Sequence, residues 1–117
     1  MGLDMAIAVE ELADDITFVR LSGRIDVAGA VAIEMPMNVV GGSRSWVVVD
    51  LSEVEFMASL GLRCVVQCAK AVQARGGKLA LLAPRPIVAE VITTSGIDEL
   101  VPVYELRADA LAAVSPN

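Results

Sequence analysis

A run of β-branched residues followed by a helical repeat constrains this fold more than any other feature. Residues 46–51 read WVVVDL, with apolar side chains in succession rather than in alternation. Such a run is typical of a strand that is covered on both faces, as in a parallel sheet. We expect the strand to stop at Asp50, and a short loop to lead to a helix that begins at Ser59.

The predicted helix over residues 59–75 has a clear 3.6-residue period. Apolar residues recur at helical spacing and predict a core stripe made of Leu62, Val65, Val66, Ala69 and Val72. The polar residues between them predict a solvent face made of Arg63, Gln67 and Lys70. Gly76 and Gly77 follow, and a glycine just past the last turn is a common helix end.

The remaining segments alternate between strand and helix patterns. Residues 5–12 and 16–23 predict a β-hairpin whose turn contains Asp14 and Asp15. Asp26 is a suitable N-cap for a helix over residues 27–40, and we expect Pro36 to kink or shorten that helix. The GGSRS stretch after it is a predicted loop. Strand, helix, strand and helix patterns then follow at residues 78–83, 86–95, 100–104 and 107–114.

The order of these elements, β-β-α-β-α-β-α-β-α, predicts an α/β fold with a mixed five-stranded sheet. Each strand after the hairpin returns through a helix, so these strands should be parallel. Right-handed crossovers that advance in one direction place their helices mainly on one face of the sheet. At 117 residues, the chain is expected to form a single domain over residues 1–117.

The composition excludes several classes of function. A formal net charge of −6 and 3% aromatic residues supply neither a phosphate-neutralising cluster nor a stacking platform, so we expect no nucleic-acid partner. The apolar runs are too short to span a bilayer, so we expect no membrane insertion and a cytoplasmic location. Without histidine, Ser-His and Cys-His nucleophiles are excluded. No glycine-rich phosphate loop is present either, so we predict a protein that is not an enzyme and has no catalytic residue or cofactor.

Two cysteines, Cys64 and Cys68, lie four residues apart in the predicted helix. A zinc site here would need carboxylates beside the two thiolates, which is an uncommon ligand set, so we predict no metal. A disulfide between residues stacked one turn apart would be strained. We interpret both as small apolar side chains in a reducing compartment.

Ser59 stands alone between apolar neighbours where the predicted strand leads into the helix. Its simplest role is that of an N-cap. Alternatively, the chain presents its hydroxyl to another molecule, because Gly61 should leave the first turn uncovered and a helix N-terminus stabilises negative charge. A phosphate on Ser59 would add roughly −1.5 to −2 charges, enough to abolish an apolar docking surface.

A third strip of the same helix is also apolar, and it consists of Leu60, Cys64 and Ala71. An apolar strip on a surface helix indicates contact with another element or with another chain. Either the last helix or a loop covers this strip, or a partner protein does.

Three separated motifs resemble the STAS domain, the domain of sulphate transporters and anti-sigma factor antagonists. They are RLSGRID at residues 20–26, VVVDLSEVEFMASLGL at residues 47–62, and TTSGIDELVPVYEL at residues 93–106. The resemblance implies a mixed sheet with helices. It also implies that Ser59 takes the family's phosphoacceptor position, in a D-S-[SA]-G-L-like motif that Gly61 and Leu62 match. Ala58 replaces the usual Asp of that motif, and Leu60 replaces a small residue.

The resemblance further implies an anti-anti-sigma factor, that is, an anti-sigma factor antagonist. Its partner would be an anti-sigma factor that is a serine kinase, and phosphorylation of Ser59 would switch the binding off. A PP2C-type phosphatase would restore it, and a weak homodimer is left open. The partner-binding residues implied are those around the phosphoacceptor, namely Asp26, Met57, Ala58, Leu60, Gly61, Leu62 and Cys64.

Two other functions remain as alternative hypotheses. STAS-like proteins also serve as cytoplasmic subunits of lipid or anion transporters, where the same surface docks an ATPase or a membrane domain without phosphorylation. The replacements at Ala58 and Leu60 favour this alternative. A nucleotide or another small anionic ligand at the same helix end is the third hypothesis.

Overall fold

The computed structural model describes residues 6–116, and its core is a five-stranded sheet with the order β1-β2-β3-β4-β5. The strands are Ile7–Glu11 (β1), Ile16–Ile25 (β2), Trp46–Met57 (β3), Lys78–Leu82 (β4) and Val103–Tyr104 (β5). The helices are Val27–Ser43 (α1), Ser59–Ala74 (α2), Pro86–Thr94 (α3) and Arg107–Val114 (α4). β1 is antiparallel to β2, and β2 to β5 are parallel.

This topology confirms the predicted α/β fold, the element order and the mixed sheet. The hairpin turn also lies where it was predicted, and Asp14 and Asp15 both have positive φ there, at 64° and 61°. Aspartate tolerates that region better than most residues, which explains the acidic pair. The predicted first strand began at residue 5, and that start lies outside the described residues.

Helices cover both faces of the sheet, but unequally. α1, α2 and α3 pack on one face through buried residues that include Ile33, Met37, Val65, Ala69, Val88 and Ile92. α4 packs on the other face through Ala110 and Val114, against Phe18 and Val48 of the central strands. The prediction that helices lie mainly on one face is therefore confirmed. α4 differs because it follows the last strand, so no crossover fixes its side.

β3 is longer than predicted, and the prediction of a loop between Asp50 and Met57 is wrong. The strand continues because these residues pair with the second half of β2, up to the pair Ile25–Met57. Two register shifts between β2 and β3, each with one extra residue on β3, occur along this extension. Asp50 stays in the strand, where its carboxylate accepts the N–H of Ser52 at 2.9 Å and lies 3.5 Å from Arg20 Nε. The extended strand delivers the chain directly to α2.

α1 is also longer than predicted, because it continues through Pro36 and the glycine pair to Ser43. The prediction of a loop at residues 41–43 is therefore wrong, and Pro36 does not shorten the helix. A Cβ on Gly41 would lie 3.2 Å from the Cβ of Ala71 and 3.3 Å from the Cα of Cys68. Glycine is thus present because α1 and α2 approach closely here, rather than because the helix ends.

α2 follows its predicted pattern closely. Four of the five predicted stripe residues are buried and Val66 is half-buried, while Cys68 joins the core beside them. As predicted, Gly76 lies just past the end of the helix, and its φ is +85°. There the N–H of Gly77 donates to the carbonyl of Val72 at 2.9 Å, and the N–H of Gly76 donates to that of Gln73 at 3.0 Å. These two bonds form a Schellman motif.

Candidate docking site at the start of α2

Ser59 is the first residue of α2, and Ala58 before it takes the N-cap position. The prediction that Ser59 caps the helix is therefore wrong. β3 runs to Met57 and leaves a single residue for the cap, and Ala58 has no side chain that could cap. The junction is held by the backbone, because the N–H of Ala58 donates to the carbonyl of Ile25 at 2.8 Å. The Ser59 side chain is left on the surface.

The first turn of α2 is uncapped and electrostatically positive. An α-helix leaves its first backbone N–H groups without intrahelical acceptors, and among the described residues no side chain caps the start of α2. No acidic residue lies in this turn to offset the positive end of the helix dipole. The exposed hydroxyl of Ser59 therefore lies where an added negative charge would be stabilised.

Gly61 faces the core and not the solvent. A Cβ at this position would lie 2.6 Å from Ile25 Cγ2 and 2.6 Å from Met57 Sδ. The expectation that Gly61 leaves the turn open to another molecule is therefore wrong. The glycine instead lets the turn pack tightly against the ends of β2 and β3. Met57 and Leu62 are buried in the same core, so all three residues position the site and offer a partner no side-chain surface.

The remaining predicted site residues are at the surface. Leu60 is 44% exposed, Ala58 and Cys64 are half-buried, and Asp26 is exposed. Asp26 caps α1 as predicted, because its Oδ1 accepts the N–H of Gly29 at 3.0 Å. Since Asp26 directly follows Ile25, which bonds to Ala58, the structure brings its carboxylate to the same end of the sheet as Ser59.

A groove with a volume of about 310 Å³ separates α1 from the first turns of α2. Leu60 and Cys64 line one side, and Ala30 lines the other. The Sγ of Cys64 lies 3.7 Å from the carbonyl oxygen of Ala30, and Ala71 further along contacts α1 near Gly41. The apolar strip of α2 therefore packs beside α1, and not under the last helix or a loop: Cys64 and Ala71 are half-buried, and Leu60 is exposed.

The two cysteine thiols are protonated at neutral pH. Burial, and then the nearby Glu34 carboxylate, raise the pKa of Cys64 above its usual value of 9.0. Burial raises the pKa of Cys68 to about 11. Since the thiolate is the reactive form, both side chains behave as apolar groups. No group of three or more potential ligand residues that could hold a metal occurs within residues 6–116.

Arg63 belongs to the site, although the sequence pattern assigned it only to the solvent face. It lies one turn after Ser59 and lines the α1–α2 groove. It also lines a second groove of about 510 Å³ that contains Ser59 and Lys70. The ion pairs found between described residues, Arg20–Asp50 and Arg44–Glu11, do not involve Arg63. The four-residue spacing from Ser59 was the signal that could have revealed it.

No helix in the described part of the chain is long and apolar enough to cross a bilayer. Comparisons with known proteins agree with the architecture described above. The anti-sigma F factor antagonist of Paenibacillus polymyxa is 29% identical over 98 residues, which are 82% of this chain and 84% of that protein. The structure of an anti-sigma factor antagonist from Mycobacterium paratuberculosis is 33% identical, with a TM-score of 0.82 over 92% of each chain.

The Bacillus cell fate determinant SpoIIAA, solved in its phosphorylated form, has the same fold. Its TM-score is 0.73 at 22% identity, over 93% of this chain and 99% of that one. The family model of the STAS domain matches residues 7–110, from the start of β1 into α4. The resemblance carried by the three sequence motifs is thereby confirmed, and the chain belongs to the STAS domain family.

Proposed function

We propose that this protein is an anti-sigma factor antagonist, which acts in the cytoplasm by docking an anti-sigma factor on the surface around Ser59. The observation that carries the proposal is the exposed serine at the first position of α2, on a junction fixed by the ends of β2 and β3. Relatives that match most of the chain are named as anti-sigma factor antagonists. The protein acts by binding and not by catalysis.

The docking surface combines an apolar centre with charged edges. Leu60 is its exposed apolar side chain, and a partner would cover it together with the half-buried Ala58 and Cys64. Asp26 and Arg63 are both exposed, and their opposite charges would fix the orientation of the partner. Charges at the rim of an interface contribute more to orientation and association rate than to affinity.

The partner is an anti-sigma factor of the serine-kinase type, and its phosphorylation of Ser59 ends the interaction. A phosphate there would meet the free N–H groups of α2 and lie one turn before Arg63, which takes part in neither ion pair of the described residues. Both features stabilise the modified state. Beside Leu60, however, the new charge would have to be desolvated when the partner docks, and this opposes binding. SpoIIAA, which shares the fold, exists in a phosphorylated form, and a PP2C-type phosphatase would reverse the change here.

A second function is favoured by the exposure of Leu60 and the absence of an acidic side chain at Ala58. An apolar surface can dock a constitutive partner without any phosphorylation. In that case the protein would be a transporter subunit that binds an ATPase or a membrane domain, and co-purification with an ATPase instead of a kinase would identify it.

The proposal is tested by measuring the affinity for a candidate serine-kinase anti-sigma factor by titration calorimetry. Ser59→Ala should bind as wild type does, because the hydroxyl itself makes little of the contact. Ser59→Asp should bind at least about tenfold more weakly, since removing water from a charge beside Leu60 when the partner docks costs more than about 1.4 kcal/mol. Incubation of wild type with the partner and ATP should place a phosphate on Ser59, detected by mass spectrometry.

Ser43→Asp provides the matched control, because Ser43 is an exposed serine at the far end of α1, which lies at the opposite end of the sheet from Ser59. It should leave the affinity unchanged. A Ser59→Asp variant that binds as tightly as wild type would rule out the phosphorylation switch. Absence of binding to every anti-sigma factor tested would contradict the antagonist function itself.

A further inference from the structure

The outward face of α1 carries an unusual row of exposed apolar side chains. Val27, Val31, Met35 and Val39 recur every four residues, and each is between 61% and 75% exposed. A surface helix ordinarily presents polar residues on this face. On α1 the exposed polar side chains are instead few, namely Glu34, Asn38 and Ser43.

The row continues onto the neighbouring strand. Val9 of the edge strand β1 is 47% exposed, and a groove of about 390 Å³ runs between it and α1. Met35, Pro36 and Val39 line the other side of that groove. We call the four α1 residues together with Val9 the α1 stripe. It is a continuous apolar surface, in contrast to the single exposed apolar residues that occur on any protein.

We propose that the α1 stripe is the contact between two copies of this chain, which form a twofold dimer with their α1 helices antiparallel. Side chains four residues apart form the ridge that interdigitates with an identical ridge in the commonest class of helix packing. A twofold interface requires a surface that is complementary to itself. A straight apolar ridge bordered by a groove meets that requirement.

The charges at the two ends of α1 favour the antiparallel arrangement. Asp26 precedes the first residue of the helix, and Arg44 follows the last one. Pairing the helices antiparallel brings Arg44 of each copy near the N-terminal end of the other, where Asp26 lies. The opposed helix dipoles also attract each other. Arg44 also lies 3.2 Å from the carboxylate of Glu11 in its own chain, so a parallel pair would instead place the two Asp26 carboxylates together at one end.

The size of the stripe indicates a weak dimer. Each of its five side chains can bury on the order of 100 Å², so the two copies together would bury about 1,000 Å². This is the lower limit for a specific interface, and it corresponds to transient complexes. Two copies with a net charge of −6 each also repel one another. Since salt screens that repulsion, the dimer should become tighter as ionic strength rises.

Sedimentation equilibrium of the whole chain, from low to high micromolar concentration, tests the proposal. The average mass should rise with concentration towards twice that of the chain, and rise further in high salt. Met35→Asp should raise the dissociation constant at least about tenfold, because each interface would then bury two like charges. Leu106→Asp is the control, since Leu106 is 64% exposed but lies before α4, and it should dimerise as wild type does.

Val31→Asp serves as a second variant, and circular dichroism establishes that both variants fold. A wild-type chain that remains monomeric over the whole concentration range would overturn the proposal. A dimer that persists unchanged in both Met35→Asp and Val31→Asp would also overturn it, because the contact would then lie elsewhere. Ser59 and Leu60 are outside the stripe, but Val31 also lines the α1–α2 groove beside Leu60, so the binding of an anti-sigma factor is tested separately, by the affinity of the Ser59 variants.

Discussion

At the scale of single residues, the start of α2 depends on a glycine that has no conformational role. Gly61 is helical, and a side chain there would collide with Ile25 and Met57. Its function is to let the first turn lie directly on the ends of two strands. The height of Ser59 above the sheet, and hence the shape of the candidate site, follows from this close contact.

Replacing Gly61 with alanine should therefore destabilise the protein. Alanine gains about 1 kcal/mol of helix propensity, but overpacking of a core typically costs about 1–3 kcal/mol. Met57 Sδ can move aside, whereas the β-branched Ile25 cannot turn freely. We expect a net loss of up to about 2 kcal/mol in the free energy of unfolding, measured by urea denaturation.

Gly42→Ala is the matched control, since Gly42 is also a helical glycine, but within residues 6–116 no atom outside its own stretch of helix lies within 4 Å of the position that a Cβ would take. Because no close contact opposes the gain in helix propensity there, the free energy of unfolding should rise by about 0.5–1 kcal/mol. If Gly61→Ala stabilised the protein as Gly42→Ala does, the close contact with Ile25 would not constrain the site.

At the scale of elements, α1 shows how packing overrides local signals. Pro36 and the two glycines predict an early end, yet the helix runs for 17 residues. Its inward face buries Ile33, Met37 and Val40 against the sheet and α2. Pro36 deprives the carbonyl of Ala32 of its helical donor, but Ala32 is exposed and water can serve in its place.

Pro36→Ala should accordingly stabilise the protein. A proline inside a helix destabilises it by up to about 3 kcal/mol relative to alanine. The substitution also removes the apolar contacts of the half-buried proline ring, and this loss offsets part of the gain. We expect a gain of roughly 1–2 kcal/mol in the free energy of unfolding. Pro86→Ala is the control, because Pro86 is the first residue of α3, where proline is well tolerated. A loss of stability in Pro36→Ala would show that the ring is needed for packing.

At the scale of the whole molecule, the burial of Cys68 between α2 and the sheet should make the free energy of unfolding decrease at alkaline pH. Burial raises the pKa of Cys68 to about 11, above the ordinary value of 9.0. The protonated thiol is thus favoured in the folded state. Its contribution is complete below pH 9, and it is lost as the pH rises towards 11, because the thiol of the unfolded chain ionises first.

The loss attributable to Cys68 is at most about 3 kcal/mol. Denaturation of the wild type and of Cys68→Ala, measured side by side through this pH range, isolates it from the other titrating groups. The stability advantage of the wild type over the variant should shrink as the pH rises. An advantage that stays constant would mean that the thiol of Cys68 titrates normally in the folded protein.

The sequence alone determined the element order, the mixed sheet and the family. Those features follow from local periodicity and turn chemistry, as at the continuous strand around Val48, the core stripe of α2 and the glycines that end it. The position of Ser59 at the strand-to-helix junction was also readable, because the change from a strand pattern to a helical period marks it.

Only the tertiary structure decided what that junction looks like. Pairing with β2 extended β3 to Met57. As a result Ala58 takes the N-cap position of α2, and Ser59 becomes the first residue of a helix without a side-chain cap. Contact between distant segments turned Gly61 inward, placed α1 over Cys64 and left Leu60 exposed. Each of these outcomes depends on residues far apart in the chain, and no local pattern encodes which neighbour a side chain will meet.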